Sequence, residues 1–168
     1  MLPDMLAPGL RLVICGTAPG TVSAQRKAYY AFPGNKFWPT LALVGLTPRQ
    51  LAPHEYPELL TFGIGLTDLV KDQAGSDAAL RFEPANRPRL EQAVLQYRPG
   101  LLCFNGKRAA TEYLGSRRVE YGLHAARIGA TPIFIAPSTS GLAVRSWDLR
   151  VWEELAAMVR ALPLSNAR

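Results

Sequence analysis

Short apolar runs that each end on a turn-forming residue, with stretches of helical spacing between them, leave this chain few folds to choose from. Leu10-Arg11-Leu12-Val13-Ile14-Cys15 closes at Gly16, Phe62 to Val70 is apolar but punctuated by Gly63 and Gly65, and Leu101 to Phe104 runs into Asn105-Gly106. Ala125 to Ile128 and Pro132 to Ala136 flank a Gly129-Ala130 turn. Runs this short read as buried strands. Between them, Phe37 to Val44, Leu90 to Tyr97, Lys107 to Leu114 and Trp147 to Leu162 carry apolar residues at helical spacing, and Leu51 to Leu60 is a weaker helix interrupted by Pro53 and Pro57. Lys71 to Arg87 is a polar stretch that reads as loop. Strands that alternate with helices predict an α/β fold with a parallel sheet covered on both faces, in one domain spanning 1–168. In such a sheet the loops after Cys15, Val70, Phe104 and Ala136 meet in one cleft at the carboxyl ends of the strands.

Composition narrows the chemistry. With 168 residues, 48% of them hydrophobic, the chain can bury a core of its own. Nineteen Lys and Arg against thirteen Asp and Glu give a net charge of +6, which fits a partner carrying phosphates without establishing one. Cys15 and Cys103 lie inside apolar runs, where free cysteine behaves as a small buried hydrophobe. The two histidines, His54 and His124, and the absence of paired-cysteine spacing provide too few ligands for a zinc centre or an iron–sulfur cluster, so no metal and no cofactor is expected. Lacking a bilayer-length apolar run and any basic, hydrophobic leader in Met1 to Leu10, the chain is expected to be cytoplasmic, with no membrane partner.

Two segments carry candidate chemistry. Gly16-Thr17-Ala18-Pro19-Gly20 follows the first strand directly, and its small residues let backbone N–H groups approach a flat ligand; an ordinary strand-to-helix turn has the same composition. Its continuation, Tyr29-Tyr30-Ala31-Phe32-Pro33-Gly34-Asn35-Lys36-Phe37-Trp38, gathers five aromatics, an amide and a lysine around a Pro-Gly turn. Aromatic faces stack on an extruded base, an amide pairs with its polar edge, and Lys36 can meet a phosphate. Phe37 and Trp38 open a helix and belong equally well to the core.

Together with Gly63-Ile-Gly-Leu-Thr67, Phe104-Asn-Gly-Lys107 and Pro137-Ser138 with its following Gly/Arg loop, these blocks resemble, in order and spacing, the mismatch-specific uracil and thymine-DNA glycosylase family of the uracil-DNA glycosylase superfamily. The resemblance covers residues 10 to 160 or so. It implies a three-layer αβα sandwich around a mostly parallel four-stranded sheet, no cofactor, and a monomer acting on uracil-containing double-stranded DNA, with single-stranded DNA left open. By position it implies that Gly16, Thr17, Ala18 and Pro19 hold the pyrimidine and that Tyr30 stacks on it. Asn35 and Asn105 would line the pocket, and Lys107 would reach the pocket or nearby backbone. Ser138, Ser140, Gly141, Leu142 and Arg145 would form a loop that fills the gap left by the everted nucleotide, replacing part of the lost stacking.

The chain departs from that family where it matters most. Well-known members place an Asn that positions the attacking water at the third residue of the first motif, and here that residue is Ala18; a second family Asn is replaced by Ala136. Asp68 is the candidate substitute, at the end of the second Gly-rich strand and facing the same cleft. A carboxylate there can orient water as a general base and stabilise an oxocarbenium-like sugar, while backbone N–H groups of the first motif steady the departing uracil anion. A helix-capping role, or pairing with Lys71, competes for the same side chain. Two other functions stay open on the sequence alone: a silent uracil-binding module, marked by the two alanines, and a glycosylase for deaminated purines such as hypoxanthine.

Overall fold

The computed structural model describes residues 1–163. Five strands form one sheet: β1 (Leu12–Gly16), β2 (Ile64–Asp68), β3 (Leu102–Asn105), β4 (Gly122–Ile128) and β5 (Thr131–Ala136), in the order β2-β1-β3-β5-β4. All neighbours run parallel except β4, which pairs antiparallel with β5. The fold is thus the expected αβα sandwich with one correction: five strands instead of four. The Gly129-Ala130 turn is too short for a crossover, so the two runs flanking it must lie side by side and antiparallel.

Alternation along the strands divides the core. Leu12 and Ile14 of β1, Cys103 of β3, and Phe134 and Ala136 of β5 face helices α2 (Phe37–Leu43) and α5 (Leu149–Ala161), where Phe37, Trp38, Leu41, Trp152 and Leu155 meet them. Val13, Cys15, Leu102, Phe104, Ile133 and Ile135 point the other way, onto Leu90 and Val94 of α3 (Asn86–Tyr97) and Ala109, Ala110 and Tyr113 of α4 (Lys107–Leu114). Both cysteines are buried and unpaired, as their apolar surroundings predict. Full burial of side chains this large contributes about 1.5–3 kcal/mol each.

Helix boundaries follow local chemistry. The last helix begins at Leu149 instead of Trp147 because the Asp148 carboxylate accepts a hydrogen bond from the Arg150 N–H at 3.0 Å and caps it. Helix α3 starts at Asn86, ahead of the predicted Leu90, and its polar first turn accommodates Pro88. The Pro-interrupted segment becomes a 3-10 helix over Pro53–Phe62. A short helix α1 (Thr21–Arg26) lies in a stretch without apolar periodicity. Among the described residues no helix is long and apolar enough to cross a membrane.

Candidate active site

Strand order places the cleft. β1 is flanked by β2 on one side and β3 on the other, so the chain changes direction across the sheet beside Gly16, the kind of switch point where α/β proteins bind ligands. Register then brings the strand ends level: Gly16 pairs with Asp68, and Asn105 pairs with Ala136. Alternation turns all four toward the α2 side, under the aromatic segment.

The first-motif loop is pinned from one side. The carbonyls of Gly16, Thr17 and Pro19 accept from the N–H groups of Leu69, Val70 and Gly75 at 2.9, 2.8 and 3.0 Å, and the Thr17 hydroxyl donates to Asp77 at 2.6 Å. Those bonds use carbonyls and a side chain. Among the described residues, the Thr17 and Ala18 amides make no backbone hydrogen bond. Both residues are half-buried at the mouth of the cleft.

Tyr30 lies against that loop with its ring stacked on Phe37, centroids 4.0 Å apart at 24°. Its φ of 52° is left-handed, a costly conformation for an aromatic residue. Asp68 is 2% exposed, and a Cβ added to Gly16 would stand 2.9 Å from Asp68 Oδ1 and 3.1 Å from the Tyr30 hydroxyl oxygen. Glycine is what lets both groups close over the strand end. Asp68 Oδ2 and the Tyr30 hydroxyl are buried without a hydrogen-bond partner among the described residues. Neither competing role for Asp68 is realised: its side chain caps nothing, and Lys71 pairs with Asp4 instead, at 2.9 Å.

Burial pushes the Asp68 carboxyl up from 3.8 to about 7; the positive charges of Lys71 and Arg89 pull it down, while Asp4 pushes it further up. Those three residues form a cluster behind the strand. Arg89 donates through Nη1 to Asp4 at 3.0 Å and through Nη2 to the backbone carbonyl of Asp68, and the Thr67 hydroxyl donates to Asp4 at 2.6 Å. Burial raises the Asp4 carboxyl, but hydrogen bonds from Lys71 and Thr67, with the charges of Lys71 and Arg89, outweigh it and hold Asp4 below its ordinary value. Sequence reasoning missed Asp4 and Arg89. They meet across 85 positions of chain, and no local spacing signals such a contact.

Other anticipated residues take different places. Asn105 is buried with its amide engaged at both ends by Thr139, Nδ2 donating to Oγ1 at 2.9 Å and Oδ1 accepting from the Thr139 N–H at 3.0 Å, so it fastens β3 to the loop after β5. Asn35 Oδ1 accepts from the Phe37 N–H at 2.9 Å and starts α2. Lys107 is exposed on the first turn of α4, its Nζ 4.4 Å from the Tyr121 ring. Lys36 holds its Nζ 5.5 Å from the Trp147 ring and donates its backbone N–H to the Thr139 carbonyl at 2.8 Å. The 138–145 loop is built from serine-to-backbone bonds: Ser138 Oγ accepts from Ser140 N–H and Ser140 Oγ from Leu142 N–H. A Cβ on Gly141 would meet the Gly34 carbonyl at 3.0 Å, so the loop rests on the Pro33-Gly34 turn. Leu142 is 91% exposed, and Arg145 is exposed beside it. His54 is exposed, and the His124 ring accepts from the Ala126 N–H. Among the described residues no group of three or more His, Cys, Asp or Glu is placed to hold a metal ion.

An αβα sandwich with one buried carboxylate beside an aromatic segment, at the carboxyl edge of a mostly parallel sheet, defines an α/β protein with a candidate site at its switch point. The chain belongs to the uracil DNA glycosylase superfamily, whose family model matches residues 3–158. Among solved structures it is similar to the solution NMR structure of a candidate uracil DNA glycosylase from Methanosarcina acetivorans, at 22% identity over 95% of this chain and 96% of that one, with a TM-score of 0.63. That likeness concerns the fold.

Proposed function

We propose that this protein is a monofunctional uracil-DNA glycosylase of the mismatch-specific kind, which everts uracil from DNA and hydrolyses its N-glycosidic bond to leave an abasic site. One observation carries the reading: Asp68, buried at the strand end with Oδ2 unpaired among the described residues, lies over Gly16 beside the Tyr30 hydroxyl. Set against C1′ of an everted nucleotide, its carboxylate takes a proton from water and steadies the positive charge growing on the sugar. The free amides of Thr17 and Ala18 meet the carbonyl oxygens of uracil as it leaves with the bonding electron pair. The open side of the Tyr30 ring stacks on the base. Asp68 thereby does the work of the family asparagine that Ala18 replaces. Lys71 is engaged by Asp4 and Lys36 lies over Trp147, which supports direct hydrolysis over a Schiff base with the sugar. The net charge of +6 and the exposed Lys107 and Arg145 suit a phosphate-rich partner, and a cytoplasmic monomer is the form in which we expect it to act.

The test is direct. Labelled oligonucleotides carrying uracil opposite guanine, uracil opposite adenine, unpaired uracil, thymine opposite guanine and hypoxanthine are incubated with purified protein and treated with alkali. Cleavage at uracil opposite guanine is expected, and intact uracil strands throughout would end the proposal. Leu142 supplies a second measurement. Leu142→Ala is expected to slow excision from duplex on the order of tenfold and to leave single-strand excision nearly unchanged, because only a duplex has lost stacking to replace. Equal losses on both substrates would remove Leu142 from this role.

A further inference from the structure

We propose that the Tyr30 hydroxyl is itself catalytic, holding the attacking water jointly with Asp68, so that the residue serves the reaction through its oxygen as well as its ring. This rests on the glycosylase reading above. Two neighbouring tyrosines use their hydroxyls differently. Tyr29 spends its hydroxyl on structure, donating to the Pro3 carbonyl at 2.8 Å and accepting from Lys71 at 3.4 Å. Tyr30 buries its hydroxyl and gives it no partner among the described residues. An unmet buried hydroxyl costs about 1–3 kcal/mol, and a left-handed backbone at an aromatic residue costs a similar amount. Tyr30 carries both. Phenylalanine in its place would keep the stack on Phe37 and lose the first penalty, so packing alone does not account for tyrosine here.

The second orphan stands next to it. Asp68 Oδ2 is the other side-chain oxygen left unpaired at this strand end. Both side chains close over Gly16, where an added Cβ would stand 2.9 Å from Asp68 Oδ1 and 3.1 Å from the Tyr30 hydroxyl oxygen. An acceptor and a donor-acceptor that converge without bonding each other suit a shared water. Asn105, whose side chain also approaches the Tyr30 hydroxyl, spends one Nδ2 hydrogen on the Thr139 hydroxyl and its Oδ1 on the Thr139 N–H.

Water donates one hydrogen to the Asp68 carboxylate and the other to the Tyr30 oxygen, which leaves a lone pair aimed at C1′. The new O–C1′ bond forms as the C1′–N1 bond breaks; the electron pair departs with the base, and the first proton stays on Asp68. Tyr30 remains protonated throughout, held neutral by burial and by the nearby Asp68 charge.

Tyr30→Phe tests this, because it removes the oxygen and keeps the ring. Single-turnover excision of uracil is expected to fall about 10- to 100-fold with KM within about twofold of wild type. The doubly substituted Asp68→Asn, Tyr30→Phe protein is expected to lose little beyond the loss of Asp68→Asn alone, since both groups act on one water. Turnover equal to wild type, or a raised KM with kcat unchanged, overturns the proposal and leaves the glycosylase reading intact. A wild-type protein that releases no uracil overturns both. Should Tyr30→Phe not fold, fluorotyrosine at position 30 keeps the shape and weakens the oxygen as an acceptor; a lowered kcat supports the role, and an unchanged kcat ends it.

Discussion

Asp68→Asn is expected to slow uracil excision by about 10³-fold and to make the folded protein more stable at pH 8. The two effects share a cause. An ionised carboxylate buried at 2% exposure without a hydrogen-bond partner for Oδ2 is a good base and a poor structural group. Its folded value of about 7 lies above the ordinary 3.8, so the folded state holds a proton that the unfolded chain releases between those limits. Below pH 4 both states are protonated and Asp68 costs nothing. Stability falls as pH rises through 4 to 7, and the full cost, on the order of 3–4 kcal/mol, persists above 7. Asparagine carries no such charge, so thermal melts are expected to favour the variant by several degrees at pH 8 and to converge with wild type at pH 4. In wild type the active form is the carboxylate, and kcat/KM is expected to fall tenfold per pH unit below about 7. An excision rate flat from pH 5 to 8 would deny Asp68 the role of base.

Gly16→Ala should be nearly as damaging. The added methyl would lie 2.9 Å from Asp68 Oδ1 and 3.1 Å from the Tyr30 oxygen, closer than either can remain. Gly16 has Cys15 and Thr17 as neighbours in a pinned strand end, so the side chains must yield instead of the backbone. Excision is expected to drop about 10²-fold, the scale of a misplacement near 1 Å, with a stability loss of about 1–3 kcal/mol from overpacking. Uracil-oligonucleotide binding and excision measured together decide it: wild-type turnover would mean that the space over Gly16 is unused.

The fold was legible because its signals are local. Val13 and Cys15 alternate with Leu12 and Ile14 in one short run, Lys107 to Leu114 has its period and its Gly115 stop, and each is a property of neighbouring residues. Helix α1 escaped for the converse reason, since only Ser23 of its six residues is buried and periodicity has nothing to report. Asp68 and Tyr30 were accessible through motif and strand position. What the sequence could not disclose was how the site is held: the Asp4, Lys71 and Arg89 cluster, the paired hydrogen bonds of Asn105 with Thr139, and the orphaned hydroxyl are products of distant segments meeting. Asn35 and Asn105 looked like base readers because amides pair with bases. In the fold Asn105 meets the Thr139 hydroxyl and N–H, and the Asn35 carbonyl accepts from the Phe37 N–H.

The contact between the 138–145 loop and the Pro33-Gly34 turn reaches beyond packing. Lys36 N–H on the Thr139 carbonyl and Gly141 against Gly34 join the part that would probe a double helix to the wall that would receive the nucleotide. The loop that exposes Leu142 thus shares two backbone contacts with the aromatic segment. If this protein everts a base as proposed, the loop entering the helix and the segment receiving the nucleotide would belong to a single rim.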